Sequence, residues 1–156
     1  MEYSNWLNET NKKLDDYISC LDKKTVKKFR LQLLKRIAER TEEFSSKGCN
    51  ECEENKENIN KLLLMLDEHN NNFAVAFKNY NAIIRKLIEH LQKKHGLTEE
   101  GANVAIWMPI GMSLGMCLGM SFGSNGLSIG LSLGLAVGVA VGSGLDSKAK
   151  KEGKNI

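Results

Sequence analysis

Apolar residues recur at spacings of three and four, between charged residues, along three stretches before residue 101. This spacing places them on one face of an amphipathic helix. The first stretch contains Asp22 and Thr25, either of which suits the N-cap of a new helix. The second covers residues 51–68, and the third ends at His95, before Gly96, which suits a left-handed C′ position. The apolar positions are, in order, Leu14, Ile18, Leu21, Val26, Phe29, Leu33, Ile37, Phe44, Ile59, Leu62, Leu63, Leu66, Phe73, Phe77, Tyr80, Ile84, Leu87 and Leu91.

Three apolar stripes can bury one another, so the sequence predicts an all-α chain that begins with an antiparallel helical bundle over residues 1–97. The third stripe, from Phe73 to Leu91, alternates spacings of four and three as a coiled-coil seam does. This stripe has two interpretations. It packs inside the bundle, or it pairs with a second protomer because the core is small for this length of chain.

The pattern changes at residue 102, and all 44 residues from 102 to 145 are uncharged. Glycine recurs there at every fourth position in two series, large residues fill every second position, and small residues fill the midpoints. The glycines are Gly111, Gly115, Gly119, Gly123, Gly126, Gly130, Gly134, Gly138 and Gly142. The small residues are Ser113, Cys117, Ser121, Ser128, Ser132, Ala136 and Ala140.

A pattern with both a two- and a four-residue period fits a strand as well as a helix. As strands, the two arms would pair across an Asn-Gly turn at 125–126, and a β-pore or amyloid-like form follows from that alternative. A membrane strand needs only about 10 residues, however, and these arms are much longer. As helices, 102–123 and 126–145 span about 33 and about 30 Å, close to the hydrocarbon thickness of a bilayer. The sequence therefore favours a transmembrane helical hairpin over residues 98–145.

Each helix of this hairpin would carry two ridges, one of glycine and one of Ser, Ala or Cys on nearly the opposite face. One ridge can pack the partner helix, and the second is then free for another copy, unless both ridges only stabilise one hairpin. The repeat G-x-x-x-G-x-x-x-G from Gly111 to Gly142 resembles that of the glycine-zipper membrane proteins. The ending from Gly144 to Gly153 is similar to that of small bacterial proteins with such a hairpin, so the resemblance covers about residues 97–156. It implies close helix packing and often oligomers or pores, and no particular activity.

The residues around the hairpin predict its ends and orientation. Thr98 suits the N-cap of the first spanning helix, Trp107 would lie near the membrane interface, and Pro109 would kink or restart the helix. Basic residues flank both ends of the hairpin and the turn between its helices is uncharged, which predicts cytoplasmic termini and a basic cytoplasmic tail over 146–156. The first twenty residues are polar, so we expect no signal peptide and insertion into the cell membrane through the hairpin itself.

The distribution of charged residues also divides the chain into a charged region suited to water and an uncharged region suited to lipid. Of the 19 acidic residues 17 precede residue 101, as do 18 of the 22 basic ones. The net charge of +3 is small and evenly spread, which argues against a nucleic-acid partner. No nucleophile motif, phosphate loop or acidic metal cluster is present, so the sequence does not indicate an enzyme.

Cys49 and Cys52 form a C-x-x-C pair after a turn-forming stretch, and two thiolates supply half of a tetrahedral zinc site. The other half would come from His69 and one more ligand, or from the same pair in a second protomer. A redox pair and plain structural thiols are the alternatives. His90 and His95 are five residues apart and are interpreted as surface histidines at a helix C-terminus.

Two functions follow from these expectations. The first is a homo-oligomeric membrane protein whose hairpins associate in the bilayer, forming a pore or disrupting the membrane under the control of the cytoplasmic helices. The alternative is a membrane tether or scaffold whose helical domain binds a protein partner.

Overall fold

The computed structural model describes residues 5–67, 73–122 and 126–156. All regular elements within these ranges are helical, which confirms the all-α class and the helical alternative for the glycine-rich arms. The chain divides into two compact units, Met1–His95 and Gly96–Ile156. The first unit contains α1 (Asn5–Cys20), α2 (Lys23–Lys28), α3 (Leu31–Ser46), α4 (Asn50–Asp67) and α5 (Phe73–His95), and the second contains α6 (Ala102–Gly119), a 3₁₀ turn (Met120–Phe122) and α7 (Gly126–Lys151).

The first predicted stretch is divided into three helices. Asp22 is the N-cap of α2, as predicted, and its carboxylate accepts hydrogen bonds from the amides of Lys24 and Thr25 at 3.0 and 3.2 Å. The second break lies at Arg30, which has a φ of 51° and precedes α3. This left-handed residue resets the helical phase, so Leu34 is buried and Leu33 is only half-buried.

The core of the first unit lies around α3, which contacts α1, α4 and α5. The predicted apolar residues of α4 are buried, and so are Tyr80, Ile84, Leu87 and Leu91 of α5. The side chain of Phe73 lies outside the described residues. The Tyr80 hydroxyl donates a hydrogen bond to the carbonyl of Phe29 at 2.8 Å, which connects α5 to the end of α2.

In the second unit α6 and α7 pack as an antiparallel pair, with Gly111 beside Gly138 and Gly119 beside Gly126. The helix α6 continues through Pro109. The expected N-cap at Thr98 is wrong, because α6 begins at Ala102 after the left-handed Gly101.

Thr98 instead joins the two ends of the second unit. Its amide donates to the carbonyl of Lys154 at 2.7 Å, and its carbonyl accepts from the amide of Ile156 at 3.0 Å. Leu97 and Ile156 are buried. The helix α7 runs on to Lys151, so the expected limit between hairpin and tail at 145/146 falls inside a helix.

Candidate metal centre and hairpin seam

Four metal-ligating side chains from two parts of the first unit converge at one point. Gly48, with a φ of 94°, turns the chain between α3 and α4, so that Cys49 precedes α4 and Cys52 lies in its first turn. His90 and His95 lie near the end of α5. Their ligand atoms all lie within 4.8 Å of one another, and this set, the Cys/His cluster, could hold a metal ion.

The distances within the Cys/His cluster are short and involve the Nε2 atoms of both histidines. The Cys52 sulfur lies 3.2 Å from Nε2 of His90 and 3.3 Å from Nε2 of His95. The Cys49 sulfur lies 3.7 Å from Nε2 of His90. Both imidazoles therefore present the same nitrogen to the thiols.

Neighbouring side chains orient the two imidazole rings. Nδ1 of His90 lies 3.1 Å from a carboxylate oxygen of Glu51, and the His90 side chain is only 8% exposed. The His95 ring stacks on Phe44, with centroids 3.8 Å apart and planes at 13°. Glu51 thus holds the His90 ring at the nitrogen that does not face the thiols, and Phe44 holds the His95 ring by stacking on its face.

The surroundings of Cys52 and His95 favour the neutral forms of these two side chains. Burial, together with a hydrogen bond and charge repulsion from Cys49, raises the pKa of the Cys52 thiol to about 12. Burial and the neighbouring His90 lower the pKa of His95. A neutral imidazole is the form that binds a metal, and a thiol needs a nearby cation to lose its proton at neutral pH.

The structure brings the predicted Cys49 and Cys52 together and corrects the assignment of the histidines. His90 and His95 are not surface histidines, because α5 ends against the α3–α4 turn and both rings point at the thiols. The residue expected to complete the site, His69, lies outside the described residues. The overlooked signal was the spacing itself, since C-x₂-C followed by H-x₄-H falls within the range of Cys₂His₂ zinc sites.

The second unit is organised around a glycine seam, formed by Gly111, Gly115, Gly119, Gly126, Gly130, Gly134, Gly138 and Gly142. Gly123 lies outside the described residues. At Gly134 an added Cβ would lie 2.8 Å from the Cα of Gly115 and would overlap the Gly111 carbonyl oxygen. The two backbones are therefore in direct contact, which no residue with a side chain permits.

The outer surface of the hairpin carries the small and large side chains. The small ones form two rows, Ser113 and Cys117 on α6 and Ser128, Ser132, Ala136 and Ala140 on α7, and all of these outer rows are exposed. Among the described residues, every exposed large hydrophobic side chain except Leu64 lies between Ile106 and Leu145. Both helices are long and apolar enough to cross a membrane, judged by length and composition.

No family model, curated protein or solved structure matches this chain. The Cys/His cluster offers four protein ligands, enough to fill a tetrahedral coordination sphere. The hairpin offers an apolar exterior and a closed glycine seam.

Proposed function

We propose that this chain is a two-span integral membrane protein that associates with copies of itself through the outer rows of its hairpin. The observation that carries the proposal is the exposed apolar surface between Ile106 and Leu145. Water-soluble monomers rarely expose apolar patches larger than a few hundred Å². Lipid is the solvent in which such a surface is stable, and the backbone amides inside both helices are already paired.

The dimensions and flanking charges agree with this placement. The helices α6 and α7, of 18 and 26 residues, span about 27 and about 39 Å at 1.5 Å per residue. The longer one ends in Lys148, Lys150 and Lys151, which belong at the cytoplasmic surface. Both ends of the second unit then lie on the cytoplasmic side, with the helical domain of residues 1–95 arranged there as an antiparallel bundle.

Self-association follows from the position of the outer rows. A residue two places from a seam glycine is rotated about 200° from it, so the row on α6 and the row on α7 lie at opposite edges of the hairpin. Small side chains let membrane helices approach closely. The α6 edge of one hairpin can thus pack against the α7 edge of the next, a head-to-tail contact that repeats and can close as a ring.

In this proposal the assembly forms a pore or disrupts the membrane, and the glycine-zipper proteins that the hairpin resembles often form oligomers or pores. Among the described residues, the outer rows consist of serine, alanine and cysteine and carry no charge, so we expect clustering to permeabilise the bilayer without forming a selective channel. The cytoplasmic helices control the clustering in this proposal.

Disulfide cross-linking in vesicles tests the head-to-tail contact. Gly130 packs between Gly115 and Gly119, which places Cys117 at the depth of Ser128 and Ser132. In a Cys20→Ser background, Ser128→Cys should produce a ladder of oxidised oligomers that disappears on Cys117→Ser. The matched control is Ile129→Cys, at the same depth on another face, which should produce no ladder.

Dye release from the same vesicles tests the disruptive activity. Ser132→Leu should reduce both the ladder and the leakage, and Val137→Leu, at an exposed position that is already large, should leave both unchanged. The proposal would be overturned if the Cys20→Ser, Ser128→Cys chain gave no ladder and the wild type released no dye.

The second candidate is a membrane tether whose hairpin stays monomeric. The observation that favours it is the closure of the glycine seam inside one hairpin, which leaves no glycine ridge for a neighbour. A tether should keep its function when the hairpin is replaced by an unrelated two-span anchor, and a self-associating protein should lose it.

A further inference from the structure

The Cys/His cluster is the most concentrated set of ligating atoms in the described part of the chain, and the proposed membrane function makes no use of it. We propose that it is a structural zinc site, in which one Zn²⁺ is bound by the Sγ atoms of two cysteines and the Nε2 atoms of two histidines, namely Cys49, Cys52, His90 and His95.

The distances fit a tetrahedral zinc ion. With Zn–S near 2.3 Å and Zn–N near 2.0 Å, such an ion holds a sulfur and a nitrogen about 3.5 Å apart. Three of the four sulfur–nitrogen pairs in the cluster are 3.2, 3.3 and 3.7 Å apart, which brackets the expected separation. All four ligand atoms lie within 4.8 Å of one another, so one ion can lie between them.

The types of ligand atom in the cluster indicate which metal it would bind. Two thiolates and two imidazoles in a tetrahedral arrangement are typical of zinc, whereas calcium and magnesium take oxygen ligands. Four protein ligands fill the coordination sphere and leave no open position for substrate or water. The site is therefore structural, with no role in hydrolysis.

The surroundings of His90 give independent support. A zinc-bound histidine commonly donates its second ring N–H to a carboxylate, which fixes the tautomer and the ring orientation. Nδ1 of His90 lies 3.1 Å from Glu51 while Nε2 faces both thiols. Glu51 is also next to the cysteine ligand Cys52 in sequence, so one turn of α4 supplies a ligand and an outer partner.

Zinc joins parts of the first unit that are distant in sequence. The cysteines lie at the α3–α4 turn and the histidines near the end of α5, 38 and 43 residues beyond Cys52. Metal binding releases the two thiol protons to solvent and pairs the resulting thiolates with the ion. The binding free energy then stabilises the folded first unit.

The test uses the full-length chain purified in detergent after expression with added zinc. Elemental analysis should find one zinc per chain in the wild type and in Cys20→Ser, and less than a tenth of that in Cys52→Ser. A variant could lose zinc by failing to fold, so the wild type itself is stripped of metal and titrated with Co²⁺. Intense visible bands of tetrahedral cobalt with thiolate charge transfer should appear and be displaced by Zn²⁺.

The variant Glu51→Gln provides a second test, because it keeps all four ligands and changes only the carboxylate beside His90. Zinc affinity measured against a chromophoric chelator should fall about tenfold to a hundredfold, as for other outer partners of metal-bound histidines. Wild-type protein that lacks zinc and gives no tetrahedral cobalt spectrum, or that contains a Cys49–Cys52 disulfide in place of the metal, would overturn the proposal. This result would leave the membrane proposal intact, since cross-linking through Cys117 does not involve these residues.

Discussion

Single glycines decide whether the two helices of the hairpin can touch. In the glycine seam the space that a side chain would need is occupied by backbone atoms of the facing helix. Gly144 also lies in α7 but has no atom within 4 Å of an added Cβ. The same substitution can therefore be compared at a filled and at an open position of one helix.

We predict that Gly134→Ala destabilises the hairpin by about 1–3 kcal/mol, the usual cost of overpacking, because the methyl group forces the backbones apart. Gly144→Ala should be neutral or slightly stabilising, since alanine has the higher helix propensity. Thermal unfolding of both variants in the same detergent measures the difference. Equal melting temperatures would show that the helices are not in backbone contact.

Tyr80 makes a prediction about the first unit. Tyr80→Phe keeps the edge-to-face contact with the Phe29 ring, 5.1 Å between centroids, and removes the buried hydrogen bond to the Phe29 carbonyl. We expect a loss of about 1 kcal/mol in the free energy of unfolding. Chemical denaturation followed by circular dichroism would detect it, and an unchanged midpoint would contradict the bond.

The contribution of Tyr80 to the stability of the folded state should decrease at high pH. Burial raises the pKa of Tyr80 above its ordinary value, so the folded state favours the protonated phenol. The stability it contributes is fully present below the unfolded pKa of about 10 and is lost as the pH rises through the folded value. The stability of the wild type should therefore fall more steeply than that of Tyr80→Phe above about pH 10, measured by unfolding at a series of pH values.

At the scale of helices, the first turn of α6 is stabilised by a residue of α7. The N-cap Gly101 of α6 has no side chain, and the first amides of the helix are bound by Asp146 of α7. Its carboxylate accepts from the amides of Asn103 and Val104 at 3.2 and 3.3 Å and from the Asn103 side chain at 2.8 Å. An acidic group at a helix N-terminus also interacts favourably with the helix dipole.

Asp146→Ala should therefore cost about 1 kcal/mol, as for the loss of other N-caps. Hydrogen exchange should increase at the amides of Asn103 and Val104 and remain unchanged at the middle of α6. Ser147→Ala, next in the chain, is the control. Unchanged protection of the two amides in Asp146→Ala would contradict the role of the carboxylate.

The sequence predicted the elements better than their ends. Periodicity identified the helices of the first unit, because burial of one face imposes it on every turn. In the second unit the period fitted a strand as well as a helix, and the length of the arms favoured helices. It did not reveal the break at Arg30 or the pairing of Thr98 with Ile156, since the first is a single unusual backbone conformation and the second joins distant parts of the chain. The sequence indicated two of the four residues of the Cys/His cluster: Cys49 and Cys52 are a local motif, whereas His90 and His95 reach them only through the packing of α5.

On the scale of the whole molecule, the chain consists of two units suited to different solvents. The first buries its apolar side chains and exposes charge, and the second exposes apolar side chains around a backbone seam. If the second unit spans the bilayer, the chain should stay in the membrane pellet after extraction at high pH. Tags at either terminus should be cleaved by protease only in inverted vesicles, and release into the supernatant would contradict insertion.

The mass of the protein in lipid nanodiscs would show whether the membrane-inserted hairpins associate through their outer rows, as we propose. We expect a defined complex of several copies for the wild type and for Val137→Leu, and a shift to single chains for Ser132→Leu. A wild-type chain that remains a single copy per nanodisc at every protein-to-lipid ratio would contradict it.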